Sequence, residues 1–396
     1  MEERSISGPG VQNANSSPRV LLVVEQLRRR VPGGIGTYAR GLIRGFADRA
    51  TGPRPSPRIT LLGSRLPRRG LRPNASDPLE SFGLETAISR LPGPVLTRAW
   101  DLGLVRAPAT YDTVHSVSLA VPPRRQNQGA CHAASVVAIH DLAWRQFPET
   151  ATKHGRGWHE AALRRALRTA DGFVVPSQAT AEVLEEAGAR PNKINVIPYG
   201  SDHLPRPEVE RTEALLHRLG IGGEFLLSVG TVEPRKNLGR LVAAYAAARS
   251  RLPEKWPLLV VGPTGWSSDS SSIDPAGVYR LGEVEDGVLT GLYAKARLFA
   301  YVPLMEGFGF PPLEAMRMGT PVVTSHDVPS VVEAPEAEAA LMVDPFDVES
   351  IAAGLVAAAT DDDRRARVVD QGTSLVRRRT WEKTASDHAT LWTSFQ

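Results

Sequence analysis

Residues 306–316 read EGFGFPPLEAM and follow the apolar run LFAYVP, which predicts a buried strand ending in a glycine-rich loop. Pro311 and Pro312 suit the first turn of a helix, because a proline there loses no hydrogen bond and its φ angle is already helical. The segment therefore predicts a strand, a loop and a helix in succession. Such units build parallel sheets, whose ligands bind at the carboxyl ends of the strands.

Two carboxylates frame this loop and allow two interpretations. In the first, Glu314 is only a helix-start residue, since an acid suits the positive end of a helix. In the second, Gly307 and Gly309 let the backbone approach a ligand, and the helix start offers N–H groups to an anion. Glu306 would then accept protons from ligand hydroxyl groups. The loop alone leaves both interpretations open.

The alternation of strands and helices extends over most of the 396 residues, a length that suits two domains. It predicts an α/β fold with two doubly wound parallel sheets. No elements are predicted for residues 64–130, where Pro, Arg and Gly interrupt the pattern. The predicted strands are VLLVVEQL (20–27), ITLLG (59–63), SVVAIHDL (135–142), GFVVPS (172–177) and INVIPYG (194–200), followed by FLLSVG, PLLVVGP, VYRLGEV, LFAYVP, PVVTS and ALMVDP.

The segment YGSDHLPRPE is interpreted as a linker, because it combines glycine, two prolines and polar residues before a helix that begins near Val209. Four units are predicted from this division. They are a disordered tail at residues 1–18, a first domain at 19–205, a second domain at 206–380, and a C-terminal helix at 381–396 that packs back toward the first domain.

Charge is distributed unevenly between the two halves. The net charge is +4, but residues up to 205 contain 27 Lys and Arg against 17 Asp and Glu, and the remainder contains 20 against 26. The first half could therefore bind anionic lipid or phosphate. Nucleic acid is not predicted as a partner, since aromatic residues are sparse and no recognition motif accompanies the basic runs.

The single cysteine, Cys131, excludes an intramolecular disulfide and a thiolate zinc cluster. The polar N-terminal stretch lacks the apolar core of a signal peptide, and no later apolar run is long enough to span a bilayer. We expect a cytoplasmic protein, with peripheral binding at the inner face of the membrane through its basic half.

A second polar segment, FLLSVGTVEPRKNLGRL, places Arg235 and Lys236 between a strand and a helix that begins near Asn237. Arg can grip two phosphate oxygens, Lys adds a point charge, and the helix start adds N–H donors. The segment therefore suits a diphosphate. The alternative is an ordinary basic loop.

Together, SVGTVEPRKNL and MEGFGFPPLEAMRMGTPVV resemble the donor-binding half of glycosyltransferase family 4, the group 1 glycosyltransferases of GT-B fold. A weaker resemblance extends to GGIGTYARGL, AIHDLAWRQFPE, the VPS turn and the WEK segment. It implies two Rossmann-like domains facing across a cleft. It also implies a retaining hexosyltransferase, mannosyl transfer being favoured, with a nucleotide-diphosphate sugar as donor. The acceptor would be a saccharide or a lipid-linked saccharide in cell-surface polysaccharide or glycolipid synthesis.

Carried over by residue, the resemblance implies that Glu306 binds hydroxyl groups of the donor sugar. Gly307, Phe308 and Gly309 would offer backbone amides to the sugar and phosphate. Glu314 would hold the nucleotide ribose. The two carboxylates of the loop would thus contact one nucleotide sugar.

The resemblance also assigns the leaving group. Arg235 and Lys236 would neutralise the departing diphosphate, and Gly34 with Gly36 would close over it from the opposite domain. His140 would lie beside the donor sugar. No protein nucleophile, cofactor or metal ion is expected.

Other functions fit the sequence less well. A metal-dependent transferase of the other fold needs an Asp-x-Asp loop, and the candidate DDD at 361–363 suits a helix start instead. A nucleotide-sugar epimerase and a catalytically silent sugar-nucleotide-binding module stay as alternatives. A dinucleotide-dependent oxidoreductase is disfavoured, since GGIGTY lacks the G-x-G-x-x-G spacing. The serine-rich stretch SSDSSSIDPAG leaves the donor base, GDP or UDP, undecided.

Overall fold

The structure is a computed structural model that describes residues 17–29, 31–49, 56–66, 77–124, 133–263, 277–336 and 338–396. The predicted tail up to residue 16, Cys131 and residues 267–276 of the serine-rich stretch lie outside these ranges. The described strands form two parallel sheets, which confirms the predicted α/β class.

The first sheet has the strand order β3-β2-β1-β4-β5-β6-β7 among the described residues, and all its pairs are parallel. Its strands are β1 (Arg19–Val23), β2 (Arg58–Arg65), β3 (Glu85–Pro92), β4 (Thr113–Ser116), β5 (Ala134–Ala138), β6 (Gly172–Val175) and β7 (Ile194–Val196). The helices of this part are α1 (Gly33–Arg49), α2 (Gly93–Asp101), α3 (Ala143–Gln146), α4 (Lys153–Thr169) and α5 (Gln178–Glu186).

The first strand is shorter than predicted. It ends at Val23, and Glu25–Arg28 form a 3-10 turn instead of continuing the strand. Glu25 is buried there, and its carboxylate accepts hydrogen bonds from the backbone N–H and the hydroxyl of Ser64 at 2.8 and 2.7 Å. The turn therefore holds a buried carboxylate against the end of β2.

The region left unassigned in the sequence contributes β3, α2 and β4. Strand β3 is half-buried along most of its length, and β4 (TVHS) is buried although it carries three polar side chains. Neither strand therefore shows the continuous apolar run that marks a buried strand in the sequence.

The second sheet has the order β10-β9-β8-β11-β12-β13 among the described residues, again with parallel pairs. Its strands match the six predicted for this half: β8 (Leu226–Val229), β9 (Leu258–Val261), β10 (Val278–Gly282), β11 (Leu298–Tyr301), β12 (Val322–Ser325) and β13 (Leu341–Val343). The helices are α6 (Val209–Arg218), α7 (Leu238–Ala248), α8 (Asp286–Lys295), α9 (Phe310–Arg317), α10 (Pro329–Val332), α11 (Val348–Thr360), α12 (Asp362–Arg378) and α13 (Trp381–Thr393).

Helix α13 leaves the second sheet and packs on α1 of the first. A Cβ built at Gly41 of α1 would lie 2.0 Å from the Trp381 ring, so only glycine permits this approach. Further along, Phe46 stacks on Trp392 with ring centroids 5.0 Å apart. The chain therefore crosses between the two sheets twice, once after β7 and once at α13.

A buried polar network completes this contact. The Tyr38 hydroxyl of α1 lies 2.8 Å from His388 Nε2 and 3.1 Å from His115 Nε2 on β4. Burial lowers the pKa of His388 to about 4, so this histidine is neutral at pH 7.

None of the described helices combines the length and the apolar character that a bilayer-spanning helix requires.

Candidate active site

The predicted basic pair and Glu306 meet at the carboxyl ends of two adjacent strands. Strands β8 and β11 pair in parallel, so the segments that follow them emerge at the same edge of the sheet. Arg235 and Lys236 lie in the 3-10 turn Pro234–Lys236 after β8, and Glu306 lies between β11 and α9. The sheet order thus brings together residues 70 positions apart.

These side chains form one ionic cluster. One carboxylate oxygen of Glu306 contacts Arg235 at 3.1 Å, contacts Lys236 Nζ, and accepts a hydrogen bond from the Tyr301 hydroxyl at 2.7 Å. A second carboxylate, Glu233, holds the other guanidinium nitrogen of Arg235 at 2.8 Å. Both cations are therefore fixed in place by carboxylates.

Electrostatics favour the charged forms of Glu306 and Arg235, whereas burial lowers the pKa of Lys236 despite the nearby Glu306 carboxylate. Burial acts to raise the pKa of Glu306, but Lys236 and Arg235 outweigh it and lower that pKa to about 2. Burial also acts to lower the pKa of Arg235, and the carboxylates of Glu306 and Asp141 raise it instead. At neutral pH the site therefore offers an anionic carboxylate beside the Arg235 guanidinium and the Lys236 amino group, which suit sugar hydroxyls and a diphosphate.

Asn237 is a structural residue of the site that the sequence analysis missed. Its φ of 58° is left-handed, and its side-chain amide donates to the carbonyls of Val302 at 3.0 Å and Pro345 at 2.7 Å. It therefore ties together the segments that follow β8, β11 and β13. The sequence signal was available, because asparagine is a residue that tolerates left-handed backbone beside a helix start.

The facing wall of the cleft comes from the first sheet. His140 and Asp141 follow β5, and a Cβ built at Gly307 would lie 1.8 Å from the His140 carbonyl oxygen. The Gly307 carbonyl accepts hydrogen bonds from Ser177 at 2.7 Å and from Thr180 at 3.1 Å. Gly307 is thus a glycine because the two halves of the chain touch at its Cα.

His140 has both ring nitrogens engaged. Its Nε2 lies 2.8 Å from the Val117 carbonyl, and its Nδ1 lies 2.8 Å from the Tyr199 hydroxyl. The carbonyl can only accept, so Nε2 carries the proton and Nδ1 accepts from Tyr199. Burial lowers the pKa of His140, which favours this neutral form. The structure therefore places His140 beside the cluster as a fixed, uncharged side chain.

Asp141 has two contacts that serve different purposes. Its carboxylate accepts a hydrogen bond from the backbone N–H of Ala143 at 3.0 Å, a turn interaction that aspartate commonly makes. It also faces Arg235 closely enough to raise the pKa of that guanidinium. Asp141 thus places a negative charge from the first sheet near the ionic cluster.

The predicted glycines lie where two helix starts face each other. Gly34 and Gly36 lie in the first turn of helix α1, and a Cβ built at Gly34 would lie 3.8 Å from the Phe310 ring at the start of α9. Gly309 precedes α9 with φ 96°, which favours glycine. Two positive helix ends, one from each half, therefore converge on the cleft.

The loop before α9 keeps its amide donors available. The carbonyls of Phe308 and Gly309 accept hydrogen bonds from Ser330 at 2.9 and 2.7 Å. Within the described part of the chain, the N–H groups of Gly307, Phe308 and Gly309 donate to no protein group. This geometry suits the predicted amide contacts to a sugar or phosphate.

Glu314 is placed apart from the ionic cluster. It is 8% exposed, and its two oxygens contact His203 Nε2 and the Tyr293 hydroxyl, each at 2.8 Å. It is the fifth residue of α9 and caps no backbone N–H. The helix-start interpretation is therefore wrong, and ribose binding stays a prediction for a carboxylate that already has two partners.

We expect Glu314→Gln to raise the Kd for GDP or UDP about tenfold, because charge-assisted hydrogen bonds contribute about 1.5–3 kcal/mol. Isothermal titration with both nucleotides measures the change. Tyr293→Phe is the matched control, since it removes one present partner and keeps the carboxylate. Equal weakening by both variants would show that Glu314 acts through packing and that the ribose assignment is wrong.

Two cavities occupy the cleft on either side of Asp141. The Glu306 cavity, about 480 Å³, is lined by residues of both halves, among them Asp141, Gln146, Thr180, Glu306, Gly307 and His326. The Arg235 cavity, about 260 Å³, is lined by residues that include His140, Asp141, Trp144, His159, Glu233 and Arg235. Their combined size suits a small-molecule ligand.

Among the described residues, no three or more His, Cys, Asp or Glu side chains gather as metal ligands. The DDD segment instead starts α12, where the Asp361 carboxylate accepts the backbone N–H of Arg364 at 2.9 Å. The capping interpretation of this segment is confirmed.

Comparison with known proteins adds two family matches. Residues 32–203 match the model described as Glycosyltransferase Family 4, and residues 223–361 match that described as Glycosyl transferases group 1. O-antigen chain mannosyltransferase B of Escherichia coli is 31% identical over 260 residues, covering 63% of this chain and 67% of the relative. Serotype-specific mannosyltransferase WbdA of the same organism is 30% identical over 194 residues, covering 46% of this chain but 22% of that longer protein.

Solved structures share the architecture. HepE of Anabaena, solved in complex with UDP and glucose, superposes with a TM-score of 0.69 at 17% identity, covering 95% of this chain and 100% of the other. Sucrose-phosphate synthase of Thermosynechococcus elongatus gives a TM-score of 0.68 at 18% identity, covering 95% and 98%. At these identities the likeness shows the fold, and it confirms the expected GT-B arrangement.

Proposed function

Because the chain belongs to glycosyltransferase family 4, and so is a glycosyltransferase, we propose that it transfers a mannosyl-like hexosyl unit with retention. The donor is a nucleotide-diphosphate sugar, and the acceptor is a saccharide or a lipid-linked saccharide in cell-surface polysaccharide or glycolipid synthesis. The mannosyltransferase relatives support the choice of sugar.

The observation that carries the proposal is the ionic cluster at the carboxyl ends of β8 and β11. In the reaction, the bond between the sugar C1 and the diphosphate oxygen breaks and a bond from C1 to the acceptor oxygen forms on the same face. The acceptor proton passes to the leaving phosphate oxygen, so no protein nucleophile is needed. Arg235 and Lys236 stabilise the charge that develops on the diphosphate. Glu306, anionic at neutral pH, accepts hydrogen bonds from the donor sugar.

The proposal is tested with purified protein, GDP- and UDP-hexoses and a panel of mannoside acceptors. Thermal-shift measurements identify the donor first, because a ligand that binds only the folded state raises Tm. Product analysis then separates the alternatives. Transfer with retention supports the proposal, and donor binding without turnover indicates a silent binding module. A nucleotide sugar, or a sugar released from it, with a changed configuration indicates an epimerase.

We expect transfer to be unaffected by metal chelation, because Arg235 and Lys236 supply the cationic charge that a divalent ion supplies in other transferases. The measurement compares initial rates in EDTA and in added Mn²⁺ or Mg²⁺. A rate that vanishes in EDTA and returns with Mn²⁺ would contradict metal-independent transfer.

We propose further that the protein works in the cytoplasm at the inner face of the membrane, held there by its basic first half. The excess of Lys and Arg up to residue 205 supports this, since each cation near an anionic surface contributes about 1 kcal/mol. Sedimentation with phosphatidylserine vesicles is expected to exceed that with phosphatidylcholine vesicles and to fade as salt rises. Equal binding to both vesicles at low salt would refute this location.

A further inference from the structure

A third cavity, of about 800 Å³, lies in the first half of the chain beside the cleft. We call it the arginine cavity, and its lining includes Arg29, Ser64, Arg65, Arg98, Ser118 and Trp158. Arg29, Ser118 and Trp158 also line the Arg235 cavity. The arginine cavity therefore adjoins the Arg235 cavity, whose lining includes Arg235 and His140.

Part of the charge around this cavity is already compensated. Arg28 donates through both terminal nitrogens to the Asp77 carboxylate at 2.7 and 2.9 Å. Asp101 is paired with Arg165 and also accepts the indole N–H of Trp158 at 3.0 Å. These two pairs add no net charge to the cavity.

The remaining charge is positive. Arg29, Arg65 and Arg98 are exposed, and within the described residues none of the three has an ion-pair partner. The remaining carboxylate of the lining, Glu25, is buried and bound to Ser64. Three guanidinium groups without an ion-pair partner thus border a concave surface in which Glu25 is the one carboxylate not paired with a cation among the described residues. Cations arranged around a cleft repel one another and concentrate the potential that attracts an anion.

Trp158 joins the arginine cavity to the Arg235 cavity. Its side chain is half-buried, and its indole N–H is held by Asp101, so the ring cannot turn freely. A fixed aromatic face can pack against the apolar face of a sugar ring. Aromatic side chains commonly line small-molecule sites. A ligand that extends through both spaces would meet the aromatic ring between the reacting centre and the arginines.

We propose that the acceptor is anionic, and that the arginine cavity binds its phosphate or diphosphate group through Arg29, Arg65 and Arg98. The acceptor sugar lies against Trp158 and presents its hydroxyl in the Arg235 cavity. This assignment rests on the proposed transferase function and names the acceptor class for it. Phosphate oxygens suit arginine because the planar guanidinium donates two parallel hydrogen bonds.

The test compares equilibrium binding of two mannosides that differ only in charge, an undecyl diphosphate mannoside and a neutral undecyl mannoside. Titrations are made with and without saturating GDP or UDP, which would occupy the donor site. We expect the diphosphate to bind at least about tenfold more tightly. The double variant Arg65→Gln/Arg98→Gln should lose this preference. Arg190→Gln, which changes an exposed arginine of the same half outside the cavity, should keep it.

A third ligand, mannose 1-phosphate, separates the two sources of the anion. If it matches the diphosphate preference, a soluble sugar phosphate is the acceptor class, and if it binds weakly, a lipid-linked diphosphate is. Equal affinity for charged and neutral mannosides, or a preference that survives in the double variant, overturns the proposal. Failure of the transferase function is a separate result, since it appears as wild-type protein that neither binds nor turns over a nucleotide sugar.

Discussion

Arg235→Ala and Lys236→Ala are each expected to lower kcat by about a hundred- to thousandfold. Breaking the bond between sugar and diphosphate builds negative charge on the leaving group, and a preorganised cation acts mainly on that charge. The structure supplies the preorganisation, because Glu306 and Glu233 hold the two side chains in place at the strand ends. The measurement is kcat at saturating donor and acceptor.

The double variant is expected to lose less than the sum of the two single losses. Both cations would act on one diphosphate and both contact one carboxylate, so their effects cannot be independent. Lys255→Ala is the matched control, since Lys255 is exposed in the same half of the chain. Near-normal kcat in both single variants, with circular dichroism showing folded protein, would show that Arg235 and Lys236 do not stabilise the leaving group.

Trp381→Ala is expected to lower the free energy of unfolding by about 3–5 kcal/mol. The Trp381 ring is 1% exposed, packs against Gly41 of α1, and lies 6.1 Å from the Phe310 ring of α9. Its indole nitrogen has no hydrogen-bond partner among the described residues, so the loss is one of packing. Urea unfolding followed by circular dichroism measures it.

The same change should also weaken donor binding, because Trp381 contacts both helices whose starts face each other in the cleft. Trp144→Ala serves as the comparison for stability alone, since Trp144 lines the Arg235 cavity but is only half-buried and stacks on His159. Its stability loss should be clearly smaller. A Trp381→Ala protein as stable as wild type would show that α13 does not hold the two halves together.

Much of the fold could be predicted because strands and helices are encoded by residues close in sequence. Short, mostly apolar stretches bounded by turn residues marked all six strands of the second sheet, and the prolines at 311 and 312 marked the start of α9. Strands β3 and β4 were not predicted, because their burial depends on residues distant in sequence. His115 of β4 is buried as a partner of Tyr38 and Trp392, which nothing near residue 115 indicates.

The candidate site, like the fold, could be predicted from the sequence only in part. Sequence alone determined that Arg235, Lys236 and Glu306 follow strand ends, where ligands bind in parallel sheets. Tertiary structure decided which of these residues touch, since the order of strands places β8 beside β11 and so joins the three side chains.

Tertiary structure also separated the two carboxylates of residues 306–316. Glu306 joined the ionic cluster, whereas Glu314 was bound by His203 and Tyr293, residues 111 and 21 positions away. Local sequence specifies which backbone conformation a segment adopts. The partners of a buried charge depend on which distant segments fold against it, and the burial of that charge is tolerated only where such partners exist.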